Sequence, residues 1–239
     1  KKYLLLLLIC FLSFKSNSQE FTIGVRGGFN QYTIGDINSR GGSIQQGKPD
    51  ELFSPSKELG VQFGAFLSIE FGKLFIQPEI NFASSKNKYK FPLKESKWTS
   101  SRINVPILIG YKVFDPLSVY AGPGFNILGD TTLDGVQETS FSNGGPDLNK
   151  TNVGITIGAM VRLGRFGIDL RYEAISQETQ EELLDIDNGG YGVNLADLKP
   201  YKPNILSLSI FIDIIKTNTD DISGVFAGLF KNNKCYCPY

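Results

Sequence analysis

The chain has 239 residues, 41% hydrophobic and 20% charged, enough for one barrel-sized domain or two small ones and unlike collagen, coiled-coil or disordered sequences. Its 24 basic and 24 acidic residues cancel to a formal charge of +0, which gives no reason to expect nucleic acid as a partner. Histidine is absent, and with it the commonest general base, the Ser-His and Cys-His nucleophile pairs and most zinc or iron sites.

Residues 1–18 form a separate object. Lys1 and Lys2 precede an apolar run from Tyr3 to Phe14 and then the polar stretch KSNSQE, the layout of a secretory signal, with cleavage expected near Ser18. The run of about twelve apolar residues is short of the roughly 20 that a membrane-spanning helix needs. Ile9 stands where lipoprotein processing requires a small residue, so Cys10 is not expected to carry a lipid. Export of the mature chain leaves only Cys235 and Cys237. One intervening residue strains a mutual bridge, so pairing with another chain, or no pairing, is at least as consistent with them.

Period-two alternation recurs through the rest of the chain and predicts eight strands, because successive side chains on a strand point to opposite faces. The first runs near 21–32, with Phe21, Ile23 and Val25 opposite Thr22, Gly24 and Arg26. In the second, near 59–71, Leu59, Val61, Phe63, Ala65, Leu67, Ile69 and Phe71 oppose small or polar residues ending at Glu70, and only Phe66 breaks the pattern. The third, 74–84, sets Leu74, Ile76, Ile80 and Phe82 against Gln77, Glu79 and Asn81. The fourth, 98–113, opposes Ile103, Val105, Ile107, Ile109 and Tyr111 to Arg102, Asn104 and Gly110. The fifth spans 117–128 and the sixth 152–163, the latter with Arg162 on its polar face. In the seventh, Phe166, Ile168, Leu170 and Tyr172 face away from Asp169, Arg171 and Glu173, and in the eighth Leu206 to Ile214 oppose Ser207, Ser209 and Asp213.

Gly72-Lys73, Asp115-Pro116 and Gly164-Arg165 read as tight turns, whereas 33–57, 85–97, 129–151 and 174–203 are long and rich in Gly, Ser, Asn, Asp and Lys. Strict alternation of short and long connections predicts an all-β fold, an eight-stranded antiparallel up-and-down transmembrane β-barrel with tight periplasmic turns and long extracellular loops. Residues 19–214 would form the barrel and 215–239 a periplasmic tail. A soluble lipocalin-like ligand-binding barrel would use the same stripes with the apolar face inward. The polar face, rich in glycine and poor in lysine, makes a poor coat for water but a good lumen. There Arg26, Glu70, Gln77, Glu79, Asn81, Arg102, Asn104, Arg162, Asp169, Arg171, Glu173 and Asp213 would satisfy one another. Phe71, Tyr111, Phe166 and Tyr172 fall at strand ends on the apolar face, as girdle aromatics would.

No phosphate-binding loop, Gly-x-Ser-x-Gly elbow or Cys/His ligand set is present, so neither an enzyme nor a cofactor is expected. GPGFNILGD lies within a strand pattern, and DIDNG (185–189) resembles the start of a calcium loop without its distal Glu.

FTIGVRGGFN, SRINVPILIGYKV, SVYAGPGFNIL, GIDLRYE and NILSLSIFIDI together resemble the PorT-like outer-membrane β-barrel family of Bacteroidetes-type bacteria, over residues 20–214. The resemblance implies an outer-membrane location with lipid as surroundings, and for some members a role in a protein-secretion and gliding apparatus. The expected function is therefore non-catalytic binding or assembly, with envelope partners contacting the loops and the tail segment Ile222 to Phe230. A small-solute transporter or a lipid-acting outer-membrane enzyme are the competing readings. The tail itself suits an interfacial segment, a short docking helix or a poorly ordered terminus.

Overall fold

The computed structural model describes residues 19–40 and 51–218. The leader, all three cysteines and Ile222 to Phe230 lie outside them. In chain order the elements are β1 (Gln19–Tyr32), β2 (Ile37–Ser39), β3 (Leu52–Phe53), β4 (Ser56–Lys57), β5 (Gly60–Phe71), β6 (Leu74–Lys90) and β7 (Glu95–Phe114). Next come β8 (Leu117–Leu133), β9 (Val136–Gln137), β10 (Thr151–Leu163), β11 (Phe166–Ile175), β12 (Glu182–Ile186), the single-turn α1 (Asn188–Tyr191), β13 (Leu195–Leu198) and β14 (Asn204–Asn218).

Eight of these strands close a ring, each antiparallel to its neighbours: β1-β5-β6-β7-β8-β10-β11-β14, with β14 returning to β1. Closure leaves no unpaired sheet edge within the wall. The apolar stripes face outward: Ile23, Val25, Phe63, Ile109, Ile157, Leu170 and Ile210 are all exposed. An exterior of this kind is a surface for lipid, and the lipocalin-like arrangement, which needs these residues inside, is excluded. The three short turns lie on one rim at 72–73, 115–116 and 164–165. Gly72 and Gly164 adopt φ of +64° and +65°, a left-handed conformation that glycine reaches without strain.

The last strand runs past Ile214. At the β1–β14 pairing the register slips between Ile23 and Gly24, so Ile214 is an extra residue and both it and Ile215 point outward. A bulge reverses the parity of everything after it. Beyond it the ladder continues to Asn218, which moves the barrel's end four residues past the expected boundary.

The long-loop rim also departs from expectation. The segment 85–97 is mostly strand: β6 and β7 pair out to Lys90 and Glu95, leaving only 91–94 as a turn. At about 3.3 Å per residue the 20 residues of β7 reach some 65 Å, and even tilted by about 40° this is twice the roughly 25 Å height of an apolar band. The other long segments contribute β2, β3, β9, β12 and β13 to a second, five-stranded sheet in the order β3-β2-β13-β12-β9. Beneath it lies a core containing Tyr32, Ile37, Tyr89, Phe91, Trp98, Leu184, Ile186, Leu198 and Ile205. The connections thus build a folded head on the barrel. Within it the DIDNG carboxylates have structural work. Asp187 caps α1 by accepting from the Gly189 amide at 3.1 Å, and Asp185 accepts from Thr139 Oγ1 at 2.7 Å.

Burial in the head raises the phenol pKa of Tyr32 to about 12, against the lowering influence of Arg102, and pushes Tyr89 and Tyr201 up as well. A phenol whose folded pKa lies above its unfolded value stabilises the fold fully below about pH 10, and that contribution is lost as pH rises through the folded value. The head is therefore expected to lose stability between about pH 10 and 12. Tyrosinate absorbance should rise there together with protease sensitivity of the head. Smooth, independent titration of all tyrosines near pH 10 would contradict this.

Candidate functional site: the barrel lumen

Each of the twelve polar residues expected in the lumen faces inward. Eleven are buried, and Arg162, at the short-turn mouth, is partly exposed. Strand parity places them, and the closed ring brings strands distant in sequence within bonding reach.

At the centre, Arg171 donates to Glu79 at 2.8 and 3.0 Å, to Asp169 at 3.1 Å and, through Nε, to the Tyr120 hydroxyl at 3.0 Å. Arg26 donates to Glu79 at 3.0 and 3.2 Å and also to Asp169. Gln77 and Asn81 donate to Glu79 at 2.7 and 3.0 Å, and the Tyr120 hydroxyl donates to Asp169. Towards the head, Arg102 donates to Glu173 at 3.0 Å and to the Asn126 carbonyl at 3.1 Å, while Asn104 and Asn126 donate to Glu173 at 3.1 and 2.6 Å. At the short-turn mouth, Lys112 donates to Glu70 at 2.5 Å, and Arg162 stands 3.1 Å from Asp213 and 3.6 Å from Glu70.

Every layer is electrically neutral. The centre holds two arginines and two carboxylates, the upper layer one of each, and the mouth Lys112 and Arg162 against Glu70 and Asp213. Neutrality within each layer matters because an uncompensated charge is costly in a medium without water. The twelve residues expected from strand parity hold four arginines against five carboxylates. The missing cation is Lys112, which shares the inward parity of Arg102, Asn104 and Gly110 on β7 and could have been found by extending that parity. Tyr120 and Asn126, at even positions of β8, were legible in the same way.

An apolar collar of Phe66, Phe75, Leu108, Tyr120, Met160 and Phe211 accompanies these layers. Arg162 lies over the Phe211 ring and Arg171 over the Tyr120 ring, each at 5.2 Å, so the collar stands between mouth and centre. Four of its rings fill space left by inward glycines. A Cβ at Gly24, Gly110, Gly158 or Gly167 would come within 2.2 Å of Phe66, Phe75, Tyr120 or Phe211 respectively. This explains why the lumen face is rich in glycine and why Phe66 interrupts the alternation.

The void between collar and centre is about 10 Å³, room for one water at most. At the mouth a cavity of about 240 Å³ opens between Ser68, Lys112, Ser118 and Arg162. The lumen is thus a plug, and the reconstituted barrel is expected to show no stable single-channel current. Steady large currents from the wild-type chain in planar bilayers would contradict this.

A closed antiparallel ring of eight strands, lipid-compatible outside and polar inside, with short turns at one rim and a large structure at the other, defines a transmembrane β-barrel of the bacterial outer membrane. The family model for the outer membrane protein beta-barrel domain matches residues 16–174, and the chain belongs to that family. Solved structures similar to the chain include the outer membrane protein OprG of Pseudomonas aeruginosa, at 14% identity and TM-score 0.44, covering 82% of this chain and 97% of that one. Neisserial surface protein A matches at 14% identity and TM-score 0.39, with 81% and 97% covered. Ail of Yersinia pestis matches at 13% identity and TM-score 0.35, with 81% and 99% covered. No curated protein sequence matches the chain.

Proposed function

We propose that this barrel is a non-catalytic binding or assembly protein whose head engages a protein partner, specifically an accessory subunit of an envelope protein-secretion complex, as the PorT-like resemblance implies. The observation that carries the reading is the folded head. Among the described residues the long connections contribute five short strands to a second sheet and side chains to one buried core, while the lumen groups are taken up with one another. A barrel that neither conducts nor exposes a reactive constellation acts through the surface it presents. On the head, beyond the lipid-facing band, Leu52, Leu93 and Phe141 are exposed at 58%, 67% and 67%, apolar surface that a partner would cover.

The test is affinity purification of the tagged full-length chain from outer membranes, beside a variant carrying Leu52→Ser, Leu93→Ser and Phe141→Ser. A defined envelope protein is expected with the wild type and lost with the variant. Failure of any protein to co-purify, together with solute uptake or lipid turnover by the reconstituted barrel, would overturn the reading in favour of a transporter or an enzyme.

A further inference from the structure

At the head-side edge of the apolar band, the outer wall between β5 and β8 carries a hollow of about 370 Å³, walled by Val61, Phe63, Phe82, Ile103 and Ile127 and floored in part by Arg102. Its origin is local. Ser84 pairs with Ser101, and the β7–β8 register breaks between Ser100 and Arg102 opposite Gly129, so three small residues meet at a bulge. Phe63 and Phe82 stack at 5.3 Å along one side.

Directly above the hollow the outward face turns basic. Lys86 follows Ser84 on the same face of β6, about 7 Å along the strand, and Lys88 stands opposite Lys97 across the ladder. Like charges directly opposed destabilise a pair of strands. Lys88 is held by Glu58 at 2.6 Å and Glu95 at 3.8 Å, but among the described residues no carboxylate makes an ion pair with Lys86 or Lys97. Asp130 lies at the bulge. Asp134, whose amide donates to the Lys97 carbonyl at 3.0 Å, is a fourth acid here; with exposed Lys57 and Lys90, five lysines face four acids, and the surface keeps a small positive excess.

The geometry points to a bound lipid of the outer leaflet, with an acyl chain in the hollow and a headgroup phosphate at Lys86 and Lys97. The apolar pocket and the cations are stacked along the membrane normal in the order that such an amphiphile presents chain and phosphate. A neutral lipid would leave the two lysines without an ion-pair partner among the described residues. A second copy of the chain, meeting across a two-fold axis, would bring one positive face against another.

Native mass spectrometry of the full-length chain with diphosphoryl lipid A and with its dephosphorylated form tests the site. Retention of the phosphorylated form alone is expected. Lys86→Gln with Lys97→Gln should weaken it by roughly thirtyfold, about 1 kcal/mol per lysine near an anionic surface. Ser101→Phe, which fills the hollow, should abolish retention while the barrel still migrates as a folded species. Equal retention of both forms, undiminished binding by the lysine variant, or a stable dimer burying Phe63 and Phe82 would overturn the proposal.

Discussion

Replacing Arg171 with alanine should destabilise the barrel by about 3–5 kcal/mol, because removing one member of a buried ion-pair network leaves its partners charged and uncompensated. Arg171 donates to Glu79 with both terminal nitrogens, to Asp169 and to Tyr120, so its loss turns the neutral central layer into one of net charge −1. The consequence can be checked by urea unfolding from lipid vesicles. Adding Glu79→Gln should recover much of the loss, since it restores neutrality with Arg26 facing Asp169. Groups in one network couple by about 0.5–3 kcal/mol, and the double variant is expected to be more stable than the sum of the single changes. Arg165→Ala, at an exposed turn, should change stability by less than about 0.5 kcal/mol. Equal midpoints for wild type and Arg171→Ala would show that the central pairs contribute nothing.

The second large effect is expected in the head. Phe91, in the turn between β6 and β7, meets Phe53 edge-on at 5.0 Å, stacks on Tyr89 at 5.9 Å and meets Tyr191 edge-on at 6.2 Å. One ring therefore joins β3, β6 and α1 to the hairpin tip. Phe91→Ala should cost about 3–5 kcal/mol of local stability through lost burial and the cavity left behind. The barrel ladder does not depend on this contact. Limited proteolysis of the variant in membranes should cut the segments carrying β3 and β12 while an intact barrel fragment survives. Partner capture should fall in parallel if the head is the binding surface. Unchanged protease resistance would show that the aromatic cluster is not what holds the head together.

The lower rim was legible because its signals are local. A turn of two residues needs particular residue types, and a strand between lipid and lumen must alternate, so the three turns and the inward and outward faces follow from neighbouring positions alone. The twelve lumen residues were identified by parity, without knowledge of which would meet. Their partners could not be read this way. Arg26 and Glu79 are 53 positions apart and Arg171 and Glu79 are 92 apart, and only closure of the ring brings them together.

The sequence by itself determined which face of each wall strand meets lipid, since that choice is set by the transfer of apolar side chains out of water and has period two. Tertiary structure decided the rest. Above the lipid band the strands keep their geometry but lose their hydrophobic alternation, because both faces there carry polar residues such as Lys86, Asn87 and Lys88, and so β6 and β7 looked like loop. The head sheet is built from pieces of two to five residues, too short to show a period, and is held by a core drawn from every long connection. The end of β14 was hidden by a single bulge at Ile214, which shifts the alternation by one residue while the hydrogen-bonded ladder runs on.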